Sequence, residues 1–456
     1  MLIFAENDRS KSGSENRSYN VNWLLLNGLG MAIVGWQAIS LPGPLSIEQA
    51  ADIAAKNAFE VRTQSSLVEQ SRQRVGESRA AAGLQVTANG TYTRYSRPQE
   101  SQGGSGGSLS DASSAVLSAQ IPIDISGQYR NNNRFFEATL AASKLNLLTA
   151  TLDAKLKARE AYLAVLKAQA NAAVAEMSVR DAQAQLEQSE KLYAEQSIAL
   201  IDVSRYKAQL SRFKSELIER QNELQIAKHA LNQELALPIE QELELADVPD
   251  PQVQDDDPNA LIDLALKHRP EILALQETAK AYGYSIAALK AGLRPSMTLA
   301  LDYQPKLGSN SNVGANNLGT LSLSVSIPLH DSGATRSRTA SARQDQLQTL
   351  VAIEKQMLLI SQEVRDLIAT KESAVAKLSN ALDQQKYAEE VYKIALIRQE
   401  AGQGTYVDVI DAATLLAQAR TDVVSARYEV LSTAMRLKRA LADDLPIASQ
   451  PDEVGQ

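Results

Sequence analysis

The segment that decides the fold is Gly402-Gln-Gly-Thr-Tyr-Val-Asp-Val-Ile-Asp-Ala412. A long helical pattern precedes it, from about Ser332 to Glu400, and a second follows it, from about Thr405 to Ala442. The two glycines predict a break between the helices, because glycine tolerates the positive φ with which many helices end. The threonine after the glycines is suited to cap the second helix. The segment therefore predicts the tip of a hairpin made of two antiparallel helices.

The helix before this tip has an apolar seam with the spacing of a coiled coil. The seam alternates steps of three and four residues from Leu350 to Ala395, and only Lys371 and Gln385 in it are neither apolar nor aromatic. A heptad pattern held this long predicts a supercoiled helix. At 1.5 Å per residue, about 65 residues make a helix on the order of 100 Å long, far beyond the usual globular helix.

The composition excludes several classes of protein. The formal net charge of -8 argues against a broad nucleic-acid surface. The absence of cysteine excludes disulfides, thiolate metal sites and a lipid-modified N-terminal cysteine. The histidines at 229, 268 and 330 lack ligand-like spacing, and the glycine run at 103–107 lacks the lysine and helix of a phosphate loop. We therefore predict a protein that is not an enzyme and holds no cofactor or metal.

The N-terminus predicts export from the cytoplasm. An apolar run from Trp23 to Ile39 follows several basic residues, and Ala38 and Ser40 supply the small residues that signal peptidase requires. We interpret residues 1–40 as a signal peptide. The alternative is a membrane anchor, but about 17 residues are few for a span. No other stretch of the sequence is long and apolar enough to be a transmembrane helix.

Two pairs of segments alternate apolar and polar residues with the period of a β-strand. They cover residues 84–97 and 115–125 in one pair, and 294–303 and 318–329 in the other. Polar, glycine-containing loops at 98–113 and 304–317 join the members of each pair. Each pair therefore predicts a hairpin of two amphipathic strands.

The whole pattern occurs twice. Ile121-Pro122 recurs as Ile327-Pro328 (327 − 121 = 206), and Asp202-Val203 recurs as Asp408-Val409 (408 − 202 = 206). Each half has the order helix, strand, loop, strand, long helix, turn, helix, and an internal repeat of this size constrains the architecture. We predict a first repeat at 41–237, an acidic, proline-rich linker at 238–259, a second repeat at 260–445 and a tail at 446–456.

Four amphipathic strands cannot form a closed membrane barrel alone, because even small membrane barrels have about eight strands. An open sheet edge in hydrocarbon would leave backbone groups unpaired. If the strands lie in a membrane, several chains must therefore share one barrel, and the long helices must leave it together as a tube. The alternative is a soluble sheet with coiled coils: a periplasmic adaptor or scaffold without a pore.

These features together resemble the TolC-type outer-membrane efflux proteins over about residues 45–445. The most specific signature is Gly402-Gln-Gly-Thr-Tyr-Val-Asp-Val-Ile-Asp-Ala-Ala-Thr-Leu-Leu416. Two segments support it: Leu261-Ile-Asp-Leu-Ala-Leu-Lys-His-Arg-Pro-Glu-Ile272 and Ile327-Pro-Leu-His-Asp-Ser-Gly333. The resemblance implies a mainly α protein with β-structure: a homotrimer with a 12-stranded outer-membrane barrel and a long coiled-coil tunnel through the periplasm.

The resemblance also implies partners and a place in the cell. A periplasmic adaptor and an inner-membrane pump would dock on the tunnel, so the channel would be the exit duct of an efflux pump or a type I secretion system. The barrel would contact outer-membrane lipid, and the sequence does not specify the exported substrate.

Site residues follow from the same resemblance. The helix-hairpin tips would close the periplasmic entrance, with Gly402, Gly404 and Thr405 at one tip. Asp408 and Asp411 match the family's acidic ring positions in the second hairpin, and Asp202 matches the acidic position in the first. The alternative for the second pair is favourable placement of carboxylates in the first turns of a helix.

The sequence also departs from the family pattern. Gly404 replaces an arginine that latches the tip in the best-known member, Gln399 replaces a latch tyrosine, and Ile201 replaces a latch threonine. Arg205 stands at the position equivalent to Asp411, so each chain carries one acidic pair. We therefore do not expect the latch bonds of that member to hold a closed state in this chain.

Overall fold

The computed structural model describes residues 43–100, 108–249, 257–305 and 318–443. The predicted signal peptide, the glycine run at 103–107, most of the acidic run in the linker and the tail lie outside these ranges. Eight helices and four strands are found in the described residues, in the order α1 (Ile47–Asn57), α2 (Phe59–Ala81), β1 (Gln85–Glu100), β2 (Ser108–Ile123), α3 (Gln128–Ala194), α4 (Leu200–Glu234), α5 (Pro258–His268), α6 (Pro270–Ala291), β3 (Ser296–Gln304), β4 (Leu318–Ser326), α7 (Ala334–Glu400) and α8 (Tyr406–Ala440).

Most predicted elements are present, and three differences in their limits stand out. The predicted N-terminal helix is two helices, because Ala58 adopts an extended conformation (φ -54°, ψ 139°) and packs with Val61 and Ala154. The predicted loop at 98–113 is shorter, because the backbone pairing of β1 with β2 continues to Glu100 and Ser108. β4 ends at Ser326, three residues before the predicted end. The ends of these helices and strands are set by backbone pairing and tertiary packing. The periodicity of apolar residues alone does not determine where they fall.

The four strands form one antiparallel sheet in the order β1-β2-β3-β4. Its register pairs Leu117 with Tyr303, Ile121 with Leu299 and Leu301 with Leu321. Paired residues point to the same side, so one face of the sheet is apolar across all four strands, while the other is rich in serine, threonine and glutamine. Many side chains of the apolar face are exposed, with Leu321 at 71%.

Each strand continues into one helix, and the helices keep the order of the strands. β1 follows α2, α3 follows β2, β3 follows α6, and α7 follows β4. α2 packs on α3, α3 on α6 and α6 on α7, so the sheet and helices form a wall of constant order. Farther from the sheet, α3 pairs with α4 and α7 with α8.

The coiled-coil seam of α7 lies on its buried side. Ile360, Val364, Ala374, Ala381 and Ala388 are all buried. Leu350 and Met357, nearer the sheet, are exposed. The heptad spacing therefore located the packed face of the lower two thirds of α7, where α8 is its partner.

A second layer covers the wall at mid-height. The Tyr162 hydroxyl of α3 lies 2.7 Å from the carbonyl oxygen of Leu45 and 2.6 Å from that of Ala246. On α7, Val364 packs with Ile262 and Ala265 of α5. α1, α5 and the segment at 237–249 thus form a layer on α3 and α7.

Arg269 fixes the junction between α5 and α6. It is buried, its Nη1 lies 2.6 Å from Glu363 of α7, and its Nε donates to the carbonyl oxygen of Ala440 at 2.7 Å. The residue between α5 and α6 therefore contacts both α7 and α8. In the part of the chain that the structure describes, no helix has the length and hydropathy to cross a membrane.

Candidate functional site at the hairpin tips

The tip between α7 and α8 is a tight turn with two glycines of different use. Gly402 has φ +68°, a conformation that favours glycine. The amides of Gln403 and Gly404 both donate to the carbonyl oxygen of Arg398, at 2.8 and 3.0 Å. A Cβ on Gly404 would lie 3.1 Å from the Gln399 nitrogen and 3.2 Å from Arg398 atoms. Gly402 is therefore needed for its positive φ, and Gly404 is needed because a side chain there would be too close to the backbone of Arg398 and Gln399.

Thr405 and Asp408 form a reciprocal cap at the start of α8. The Asp408 amide donates to the Thr405 hydroxyl at 3.2 Å, and the Thr405 amide donates to the Asp408 carboxylate at 2.9 Å. The hydrogen bonds from Thr405 hold the pKa of Asp408 below its usual value. The structure thus places Asp408 in the helix cap that we considered as the alternative role.

Asp408 and Asp411 both lie outside the packed seam of α8. Val409, Ala412 and Leu416 form its buried side, whereas both carboxylates are exposed. Residues three apart share a helix face. The tip therefore presents two neighbouring carboxylates to its surroundings, and one of them also caps the helix.

The tip between α3 and α4 has a different construction. Gln196 takes the positive φ of +60° although it is not glycine, and α4 begins at Leu200 without a side-chain cap. Asp202 is half-buried in the first turn, and Arg205 is exposed one turn further. The two tips of one chain therefore differ in charge: a carboxylate pair on one, and an acid with a base on the other.

Contacts one to three turns from the tips join the two hairpins. The rings of Tyr206 and Tyr406 meet edge to face, with centroids 5.9 Å apart. The Thr414 hydroxyl accepts from Gln209 at 3.2 Å and from Arg212 at 2.6 Å. Burial raises the pKa of the Tyr206 hydroxyl well above its usual value. Sequence reasoning missed these residues, because nothing in their spacing shows that α4 approaches α8.

A further ion pair crosses between the hairpins. Arg420 of α8 lies 3.6 Å from Asp181 of α3. Both residues line a narrow cleft between the hairpins, together with Tyr392 and Leu416. The hairpins of one chain are therefore coupled above their tips. Ile201, one of the positions at which we predict that the latch is missing, is 60% exposed.

Comparison with known proteins places the chain among related sequences and folds. A model of the family described as outer membrane efflux protein matches residues 50–236 and 261–443. The pyoverdine export outer membrane protein OpmQ of Pseudomonas putida is 22% identical over 419 residues, which cover 89% of this chain and 87% of OpmQ. The outer membrane protein TolC of Vibrio cholerae is 26% identical over 299 residues, covering 63% of this chain and 67% of TolC.

Solved structures share the architecture. The outer membrane channel CmeC of Campylobacter jejuni superposes with a TM-score of 0.76 at 15% identity, covering 87% of this chain and 85% of CmeC. At this identity the likeness concerns the fold: strands in one sheet, two long helices that follow it, and hairpins at the far end. The family match covers more than half of the chain.

Proposed function

The chain belongs to the family of outer membrane efflux proteins, and on that premise we propose that it is the outer-membrane exit duct of an efflux pump or a type I secretion system. Its substrate would enter from an inner-membrane transporter and leave through the outer membrane. The observation that carries this proposal is the sheet, which has one continuous apolar face and one polar face.

The sheet also supports assembly of several copies into one barrel, and the family resemblance implies three. β1 and β4 are its two edge strands, and each has one edge without a partner in the described chain. In hydrocarbon such edges must be paired. Pairing β4 of one chain with β1 of the next closes a ring, and three copies give 3 × 4 = 12 strands. The apolar face then contacts lipid and the polar face lines the lumen.

The helical wall supports a tunnel below the barrel. The strands and helices share one order, so closing the sheet also brings the helices of neighbouring chains together. α7 exposes a second apolar stripe, in which Tyr387 is 60% and Ile394 is 56% exposed. α4 exposes Ile218 at 66% and Ile226 at 59%. Such surfaces fit burial between α7 of one chain and α4 of the next.

The tips would form the periplasmic entrance. In a trimer, Asp408 and Asp411 give two stacked rings of three carboxylates each, and Asp202 adds an acidic position on the alternate hairpin. Rings of carboxylates favour cations in a pore. An adaptor and an inner-membrane pump, with which members of the family work, would dock at this end of the tunnel.

The experiment is reconstitution of the purified chain. We expect the protein in the outer-membrane fraction, dependent on detergent after extraction, trimeric by native mass spectrometry, and conducting in a planar bilayer. A chain that stays dissolved without detergent and gives no conductance would instead be the adaptor or scaffold without a pore, and the proposal would be wrong.

A further inference from the structure

Five arginines lie within the first ten residues of the two long helices just after the sheet, and four of them form two pairs, each on one helix face; the fifth is Arg338. Arg130 and Arg336 are the third residues of α3 and α7, and 336 − 130 = 206, the spacing of the internal repeat. Arg134 follows one turn after Arg130, and Arg343 follows two turns after Arg336. Spacings of four and seven keep each pair on one helix face. All four side chains are exposed.

These positions are electrostatically unusual. Neither α3 nor α7 has an acidic residue in its first turn, where a carboxylate would favour the helix dipole and a cation opposes it. Asp124 and Asp331, which precede the helices, accept the first amide hydrogens, including that of Arg130 at 2.8 Å and that of Thr335 at 2.8 Å. The helix starts are thus satisfied without the arginine side chains.

The guanidinium groups themselves have no acidic partner. Within the described ranges, none of the four lies within ion-pair distance of a carboxylate, although Arg79 nearby pairs with Glu137 at 2.7 Å. Arg134 lies over the ring of Tyr284, 5.8 Å from its centroid. The group therefore carries four positive charges without an ion-pair partner in the described residues, in a chain whose formal net charge is -8.

The heptad spacing shows which surface of the wall carries them. Four heptads below Arg134 is Tyr162 (134 + 28 = 162), which packs under α1 and the segment at 237–249. Four heptads below Arg336 is Val364 (336 + 28 = 364), which packs under α5 beside the end of α8. A tunnel wall one helix thick can carry an extra layer only on its outside without blocking the passage. The arginines therefore lie on the outer surface, directly below the lipid-facing strands.

We infer that Arg130, Arg134, Arg336 and Arg343 form a binding site for the phosphate groups of anionic phospholipids at the periplasmic surface of the outer membrane. This inference rests on the proposed function, because it needs the sheet in the membrane. Arginine matches phosphate oxygens with two parallel N–H donors, and basic residues at a membrane edge bind anionic head groups. A trimer presents 3 × 4 = 12 such side chains as a basic girdle around the tunnel.

The test is native mass spectrometry of the detergent-solubilised full chain, titrated with phosphatidylglycerol or with phosphatidylcholine. The variant Arg130→Gln/Arg134→Gln/Arg336→Gln/Arg343→Gln is compared with Lys355→Gln/Arg365→Gln/Lys386→Gln/Lys393→Gln, which removes the same charge from exposed positions lower on α7. We expect the natural chain to prefer phosphatidylglycerol. The girdle variant should lose roughly fivefold in affinity per arginine and the control little. Replacing the four arginines by lysine should restore most of the preference.

Other outcomes overturn the inference. Equal phosphatidylglycerol binding by the natural chain and the girdle variant, or equal losses in both variants, would remove the site. Unchanged lipid binding with a changed anion conductance would place the arginines in the lumen. Absence of conductance and of detergent dependence in the natural chain would instead reject the proposed function, so the two failures are distinguishable. Far-ultraviolet circular dichroism and subunit number confirm that each variant is folded.

Discussion

At the scale of single residues, Asp408 combines two uses of one carboxylate. It accepts the Thr405 amide and closes the cap of α8, and it also remains exposed beside Asp411 at the tip. A cap needs an acceptor oxygen, whereas an ion-selective ring needs a charge. Asparagine has the same shape as aspartate and keeps the acceptor oxygen, but it carries no charge. Substitution by asparagine therefore tests the charge of the ring while the helix cap is retained.

We predict that Asp408→Asn/Asp411→Asn reduces the cation preference of the reconstituted channel while the trimer stays intact. The cation preference should fall because the variant lacks two carboxylates per chain at the proposed periplasmic entrance. The measurement is the reversal potential in a salt gradient. The control is Asp383→Ala/Glu390→Ala, two exposed acidic residues higher on α7. Unchanged selectivity in the first variant would show that the tip does not form the ring.

The pKa of Asp408 predicts a pH dependence of the tip. Because this pKa is lowered in the folded state, the carboxylate contributes stability that is fully present above its unfolded value, about 3.9, and is lost as the pH falls through the folded value. Hydrogen exchange of a peptide covering 402–412 should be slower in the natural chain than in Asp408→Ala at neutral pH. The difference should shrink only below about pH 4. A difference that is already lost at pH 6 would contradict this cap.

At the scale of the element, the two hairpin turns each contain a residue with positive φ, but they use different residue types for it. Gly402 accepts a positive φ at low cost, while Gln196 adopts the same region without glycine. Gly404 is required by the close approach of the Arg398 backbone rather than by its own φ. The tip of α7 and α8 is therefore the more tightly specified of the two.

We predict that Gly404→Ala loosens this tip. The new Cβ would lie 3.1–3.2 Å from backbone atoms of Arg398 and Gln399, which must move. Hydrogen exchange of residues 398–408 should rise relative to the natural chain. The matched control is Gly76→Ala on α2, where no atom lies within 4 Å of the new Cβ. That change should stabilise the helix by up to about 1 kcal/mol. Equal exchange in the natural chain and Gly404→Ala would show that the turn adapts.

At the scale of the whole molecule, the sheet has an exposed apolar face that a protein in water would bury. Leu321, Leu323 and Val325 of β4 are each more than half exposed on this face. Their neighbours Ser322 and Ser324 lie on the opposite, polar face. Lipid on one side and water in a lumen on the other would satisfy both faces.

We predict that Leu321→Arg impairs assembly in the outer membrane, whereas Ser322→Arg does not. A basic residue on the lipid face near the midplane costs roughly 2–4 kcal/mol, while a lumen-facing change tunes selectivity. The measurement is the amount of trimer in the outer-membrane fraction, followed by conductance of Ser322→Arg, which should shift toward anions. Equal assembly of both variants would contradict the assignment of the two faces.

The sequence by itself determined the elements, the faces of the strands and the position of the hairpin tip, because helical and strand periods, glycines and caps act within a few residues. It also supplied the lower seam of α7, since a heptad pattern records the face that must be buried. The tertiary structure alone decided the order of the sheet, the break at Ala58, the packing of Arg269 against α7 and α8, and the contact of Tyr206, Gln209 and Arg212 with α8. These depend on residues far apart in the sequence, whose approach is set by the packing of whole helices and leaves no local pattern.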